Sequence, residues 1–106
     1  MPTANPLEQL RRRMLSHASP AAFAAAAEEH RRAGRFAEAI AVCRDGLDRY
    51  PAYASARVTL GRALLDSGDT AAAVTELELA VAQAPDNLAA SRALDVARAA
   101  LGDMPG

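Results

Sequence analysis

The side chains able to bind a metal ion or act as nucleophiles are few in this 106-residue sequence. Its histidines are His17 and His30, and its one cysteine is Cys43. A zinc site needs about three or four convergent ligands, whereas neither histidine has a cysteine or carboxylate at ligand spacing. We therefore expect no metal site, and we expect His30 to pack at the inner seam of a helix pair.

Cys43 falls on the apolar face of a predicted helix, three residues after Ile40 and four before Leu47. Catalysis by a cysteine needs an adjacent base and a site for the developing charge. The sequence contains no such constellation and no glycine-rich phosphate loop. We interpret Cys43 as a core residue, since buried cysteine usually behaves as a small hydrophobe. The sequence thus predicts a protein that is not an enzyme and has no cofactor.

The charged residues also lack the spacing of a ligand site. Asp66 and Asp69 bracket a tight turn that is shorter than a calcium loop of about 12 residues, and we expect Asp69 to cap the following helix. The one run of like charge, residues 11–13, is three arginines that fan around a helix rather than forming a stripe. Because no aromatic side chains lie nearby to stack on bases, we do not expect nucleic-acid binding.

The composition indicates closely packed helices. Alanine supplies 28 residues, whereas leucine, isoleucine, valine and phenylalanine together supply 20. Alanine is the best helix former, and its small side chain lets helices approach closely. A formal net charge of −1 does not oppose a compact state. All 12 basic residues are arginine, which we interpret as the coding bias of a GC-rich, bacterial genome.

The sequence contains no predicted membrane span or signal peptide. No apolar run approaches the length of a transmembrane helix, and residues 7–15 are interrupted by a glutamate, a glutamine and three arginines. A single cysteine cannot form an intrachain disulfide, which fits a reducing compartment. The expected location is the cytoplasm, with membrane contact only through a partner.

A period of 34 residues runs through the chain. A proline follows the predicted helix start at Ser19, glycines end the first helix of each unit, and prolines end the second. No stretch alternates with period two, so an all-α fold is expected. The repeated residues are Gly34, Gly68 and Gly102; Ala39 and Ala73; and Pro51 and Pro85. The predicted helices cover residues 20–32, 36–49, 53–67, 70–84 and 87–101.

The residues with this period resemble the tetratricopeptide repeat family over residues 20–102. The resemblance implies a short right-handed α-solenoid with repeats at residues 20–53 and 54–87 and a capping helix and tail at 88–106. Residues 1–19 would add a tail and an amphipathic helix. The matching positions are Phe23, Ala27, His30, Gly34, Phe36, Ala39, Gly46 and Pro51; Leu60, Gly61, Leu64, Gly68, Ala73, Ala80 and Pro85; and Leu94 and Gly102.

Two features of the resemblance concern packing. Small residues such as Ala27, Gly46 and Gly61 are predicted where helices nearly touch. Arg57 departs from the pattern, because it stands where the family often places tryptophan, and His30 and Leu64 stand where it often places tyrosine.

In this family the first helix of each repeat lines a concave groove. One subgroup clamps the C-terminal carboxylate of chaperones there, but the corresponding positions, which include Ala24, Glu28 and Thr59, lack the clamp residues. We instead expect an alanine-rich channel, edged by Arg62 and Arg92, that receives a helix or peptide with acidic side chains. By register, its lining is predicted to be Ala24, Glu28, Arg31, Ser55, Val58, Thr59, Arg62, Leu65, Arg92 and Val96.

Two functions follow from this interpretation. The first is a protein-interaction scaffold or adaptor within a larger bacterial assembly. The alternative is a structural subunit that self-associates into a homo-oligomer through an exposed end or the N-terminal helix. The apolar stripe of that helix is formed by Leu7, Leu10, Met14 and Ala18. It would either cover the exposed end of the first repeat or serve as a partner-binding or oligomerising surface.

Overall fold

A computed structural model describes residues 6, 7 and 19–103. Within these residues no strand is present, and each helix of residues 19–103 begins and ends within one residue of its predicted bounds. The all-α prediction is therefore confirmed. The proposed N-terminal amphipathic helix lies almost wholly outside the described residues. Residues 19–103 form α1 (Pro20–Arg32), α2 (Phe36–Arg49), α3 (Ala54–Asp66), α4 (Thr70–Gln83) and α5 (Leu88–Gly102).

Local signals set the helix ends. The Ser19 hydroxyl accepts a hydrogen bond from the backbone N–H of Ala22 at 3.3 Å, which satisfies one free donor at the start of α1. Gly34 and Gly68, which follow α1 and α3, have φ angles of +80° and +93°. This left-handed conformation suits glycine because it has no Cβ. The chain therefore turns sharply at the same point in both units.

The expected capping role of Asp69 is wrong. Its side chain makes no cap hydrogen bond to α4. Its backbone N–H instead donates to the Leu64 carbonyl at 2.8 Å and closes the turn around Gly68. A ψ of 68° takes Asp69 out of the extended conformation that a capping side chain requires. The turn geometry, rather than the carboxylate, ends α3 and starts α4.

The helices pack in two layers. α1, α3 and α5 contact one another in succession, and we call the surface that they form the inner face. α2 packs against α1 and α3, and α4 packs against α3 and α5. The largest fully buried side chains are Cys43, Leu60 and Leu77, and buried alanines fill much of the remaining core.

Glycine permits the closest helix contacts. A Cβ on Gly61 would lie 2.4 Å from Cγ of Leu77, and a Cβ on Gly46 would lie 2.3 Å from the ring of Phe23. Phe23 also stacks on Tyr50, with a centroid distance of 5.9 Å. Gly46 and Gly61 therefore stand where a larger residue would collide with a neighbouring helix.

Arg57, the departure from the family pattern, joins three elements. Its guanidinium pairs with the Glu76 carboxylate of α4 at 2.7 Å and donates to the Pro51 carbonyl at 2.8 Å. The Gln83 amide donates to the same carbonyl at 2.9 Å. These polar contacts tie the α2–α3 loop to α4 at the position where an aromatic residue is common in the family.

We predict that Gly61→Ala lowers the free energy of unfolding by about 1 kcal/mol. Overpacking costs about 1–3 kcal/mol, and the gain of about 1 kcal/mol in helix propensity offsets only part of it. Urea unfolding of Gly61→Ala, Leu77→Ala and the double variant should show a double loss smaller than the sum of the single losses. Gly102→Ala is the control, because its Cβ would meet nothing within 4 Å. Additive losses would show that the Leu77 contact does not limit residue 61.

Candidate protein-binding groove

Two neighbouring depressions lie on the inner face and share Arg62. The arginine depression has a volume of about 350 Å³ and is lined by Arg31, Arg62, Leu65, Asp66, Arg92, Ala93 and Val96. The polar depression has a volume of about 320 Å³ and is lined by Glu28, Arg32, Ser55, Val58, Thr59, Arg62, Asn87 and Ala89. The shared residue makes them one continuous groove across α1, α3 and α5.

Nine of the ten predicted groove residues border these depressions. The tenth, Ala24, borders neither and packs half-buried against the core. Val58 and Thr59 are only 5% and 7% exposed, so they form the floor of the groove and offer a ligand little accessible surface. The predicted residues that present more surface include Arg92 and Val96, both classed as exposed.

Asp66 is a groove residue that the sequence interpretation missed. It had been assigned to the turn, but it borders the arginine depression and its carboxylate bonds Arg31. The spacing contained a signal, because Asp66 is four residues after Arg62 and so shares its face of α3. Arg32 and Asn87 also border the groove without having been predicted to do so.

Arg31 is bonded within the fold by an ion-pair network with Glu28 and Asp66. Its Nε donates to Glu28 Oε1 at 3.0 Å, and its Nη1 donates to Asp66 Oδ2, also at 3.0 Å. The Thr59 hydroxyl donates to Glu28 Oε2 at 3.3 Å. The hydrogen bond from Arg31 is the main reason that the pKa of Glu28 is lowered, although burial opposes it. The network therefore ties α1 to α3 along the groove.

Arg62 and Arg92 differ from Arg31 in having no hydrogen bond or ion pair with any described residue. Arg62 acts on Glu28 only through space. Both guanidinium groups border the arginine depression beside Leu65 and Val96. A free guanidinium is a strong donor to carboxylates. This end of the groove can therefore receive a carboxylate together with an apolar side chain.

The groove is electropositive in a chain whose formal charge is −1. Four arginines border the two depressions, namely residues 31, 32, 62 and 92, against two carboxylates, Glu28 and Asp66. A cleft whose lining has a net charge attracts ligands of the opposite sign. The local charge thus favours an acidic ligand, although the chain as a whole is weakly acidic.

Of the residues considered for chemistry, Cys43 and His30 do not border this groove. Cys43 is fully buried, and burial raises the pKa of its thiol to about 12. His30 does not pack at the inner seam as expected. Its Nδ1 accepts a hydrogen bond from Arg35 Nε at 3.0 Å, which holds the half-buried ring beside the turn after α1. His17 lies outside the described residues.

The described residues contain no group of three or more metal-ligating side chains. In that same part of the chain, no helix combines the length and apolar character needed to span a bilayer.

We predict that Cys43 stabilises the fold below pH 9 and that this contribution falls as the pH rises toward 12. The thiol ionises first in the unfolded chain, near its ordinary pKa of 9.0, whereas the folded chain keeps its proton. The free energy of unfolding should therefore fall with pH more steeply in the wild type than in Cys43→Ala. The difference between the two proteins isolates the contribution of Cys43 from that of every other titrating group. Equal slopes would contradict the buried, protonated thiol.

We predict that Glu28→Gln lowers the free energy of unfolding by about 1 kcal/mol, as expected for a partly exposed ion pair. Because folding lowers the pKa of Glu28, its contribution is present above its ordinary pKa of 4.5 and is lost as the pH falls through the lowered value. The wild-type and variant stabilities should therefore converge in acid. Glu78→Gln, which breaks the exposed pair with Arg98, is the control and should change little. A constant difference between wild type and Glu28→Gln at every pH would contradict this network.

Comparison with known proteins supports the family inferred from the sequence. A family model described as tetratricopeptide repeat matches residues 30–101. No curated protein and no solved structure gives a significant match. Repeats of this kind generally mediate protein–protein interactions, and proteins of the family are typically non-catalytic scaffolds. Since the match covers more than half of the sequence, the chain belongs to the tetratricopeptide repeat family.

Proposed function

We propose that this protein is a non-catalytic scaffold or adaptor that binds a peptide or helix of a partner protein across its inner face. The observation that carries the proposal is the pair of guanidinium groups of Arg62 and Arg92, which bond no residue among those that the structure describes and lie beside accessible aliphatic surface at Val96. Membership of a family that generally mediates protein–protein interaction supports the same conclusion. The proposal includes a cytoplasmic location within a larger bacterial assembly.

The organisation of the binding unit is also a proposal. The two helix pairs, α1–α2 and α3–α4, would be repeats over residues 20–53 and 54–87. Residues 88–106 would supply a capping helix and tail, and residues 1–19 a further helix and tail. In this arrangement the groove is made by the first helix of each pair together with α5.

The partner segment is proposed to be acidic. Folding uses Arg31 to bond Glu28 and Asp66, so a ligand that bonded Arg31 would have to displace an existing carboxylate. Arg62 and Arg92 require no such displacement. Charge-assisted bonds to a carboxylate are shorter and stronger than neutral ones, and the net positive charge of the groove steers an acidic segment toward it.

A third depression, of about 350 Å³ between α2, α3 and α4, is a poorer candidate. Its lining includes Arg57 and Glu76, which already bond each other at 2.7 Å. Arg57 also holds the α2–α3 loop through the Pro51 carbonyl. A ligand bound there would compete with contacts that hold the fold together, whereas the arginine depression offers free donors.

A non-catalytic role is consistent with the state of the chain's one thiol. Cys43 is buried, and a pKa of about 12 keeps it protonated at neutral pH. Since the thiolate is the reactive form of cysteine, this residue is a core side chain rather than a nucleophile.

Self-association is the second candidate function, and one observation favours it. α5 exposes three large aliphatic side chains, of which Leu88 is 65% exposed and Val96 58%; the third is Leu101. Closed dimers are the commonest soluble oligomers. If α5 pairs with a second copy, the mass measured by sedimentation should rise with concentration, and Leu88→Glu should abolish the increase.

The test of the groove reverses the charge of its two free arginines. Val58 also borders the groove, but it is not chosen for a charge substitution because it lies in the hydrophobic core. Proteins captured from the host lysate by the wild-type chain would be identified, and the affinity of one purified partner would then be measured by calorimetry. We predict that Arg62→Glu/Arg92→Glu weakens that affinity more than 10-fold and removes most of its salt dependence.

The matched control is Arg44→Glu/Arg49→Glu, which makes the same change in net charge on exposed positions of α2. This control should bind the partner within about twofold of the wild-type affinity, because exposed charges far from an interface contribute little to binding. Circular dichroism would establish that both double variants remain helical. Equal weakening by both, or no weakening by either, would place the partner elsewhere on the molecule.

A further inference from the structure

We propose that the arginine depression selects a segment with one side-chain carboxylate beside a bulky aliphatic residue, and that Asp66 rejects a second negative charge. This inference rests on the proposed function of the groove and specifies its ligand. Its basis is a difference among the charged groups that border the depression. Arg62 and Arg92 bond no described residue, whereas Arg31 and Asp66 bond each other.

Asp66 lies in the same depression as the two free arginines. Its carboxylate is held by Arg31 Nη1 at 3.0 Å, and 36% of its side chain remains exposed. The ion pair fixes the position of the carboxylate without removing it from the ligand's path. A ligand with one carboxylate can bond Arg62 and Arg92 and leave this pair intact. A second ligand carboxylate near Asp66 would meet a like charge, which opposes binding.

Arg31 does not relieve that repulsion. Its Nε donates to Glu28 and its Nη1 to Asp66, so its donors face two carboxylates of the fold. To bond Arg31, an incoming acid would have to replace Asp66 and leave it unpaired. Of the three arginines that border the depression, the network therefore leaves Arg62 and Arg92 as the two that can bond a ligand without displacing Asp66.

The remainder of the lining is aliphatic. Leu65, Ala93 and Val96 border the depression between the charged groups, and Val96 is 58% exposed. Covering such surface with an apolar side chain removes it from water, which favours binding. The preferred segment therefore presents an aliphatic residue next to its acid rather than a run of acids.

A carboxylate suits this depression better than a phosphoryl group. Phosphorylated side chains have a charge of about −1.5 to −2 at neutral pH, so they bring the additional negative charge that Asp66 opposes. The predicted ligand is thus an unmodified segment containing a single Asp or Glu.

The experiment is selection of a random peptide library on the full chain in three forms: wild type, Asp66→Asn, and Asp69→Asn as the matched control. Asp69 has the same charge and lies three residues away, but it is outside the depression and makes no cap bond. Wild type and Asp69→Asn should enrich peptides with one acid next to an aliphatic residue. Asp66→Asn should enrich peptides with two or more neighbouring acids.

Affinities of the selected peptides, measured by fluorescence anisotropy, give the size of the effect. Adding a second acid beside the first should weaken binding to the wild type about fivefold, the cost of one like-charge contact near the surface. Asp66→Asn should remove that penalty, and Asp69→Asn should not. Replacing the single acid with phosphoserine should also weaken binding to the wild type. Melting curves would establish that all variants are folded.

The outcomes separate this inference from the function on which it rests. If the selection yields peptides that bind Arg62→Glu/Arg92→Glu as well as the wild type, the groove is not the binding surface and both proposals fail. If binding requires the two arginines but polyacidic or phosphorylated peptides bind best regardless of Asp66, the groove stands and this specificity is wrong.

Discussion

The close approach of helices at small residues is the constraint on which the rest of the structure depends. The chain is rich in alanine and poor in large aliphatic residues, so a core forms only if the helices nearly touch. Leu77 fills the space above Gly61, and the Phe23 ring fills the space above Gly46. These contacts join α1 to α2 and α3 to α4. The packing of α3 against both α1 and α5 then sets α1, α3 and α5 side by side. The inner face is the surface that these three helices form when they lie side by side.

The polar contacts complement this packing. Arg57 joins the α2–α3 loop to α4, and the Glu28–Arg31–Asp66 network joins α1 to α3. Both sets of bonds are partly exposed, so each pair adds modest stability. Their larger effect is positional, since they hold long charged side chains in one place.

The same network divides the arginines of the inner face into two classes. Arg31 is bonded within the fold, whereas Arg62 and Arg92 have no such bonds to described residues and face the depression that it borders. A formal charge count would treat the three as equal. The difference between them decides which can bond a ligand without disrupting the fold, and it makes one end of the groove more receptive than the other.

The sequence by itself determined the helix bounds and the family, because Ser19, Gly34 and Pro51 act on their own few residues of backbone and the 34-residue period repeats those local effects. It also placed most of the groove lining, since the faces of regular helices follow from residue spacing. Only the tertiary structure decided that Val58 and Thr59 are floor, that Asp69 does not cap α4, and that Asp66 enters the groove. Those outcomes depend on contacts between residues far apart in the chain, such as Arg31 and Asp66, whose side chains meet only after α1 and α3 have packed.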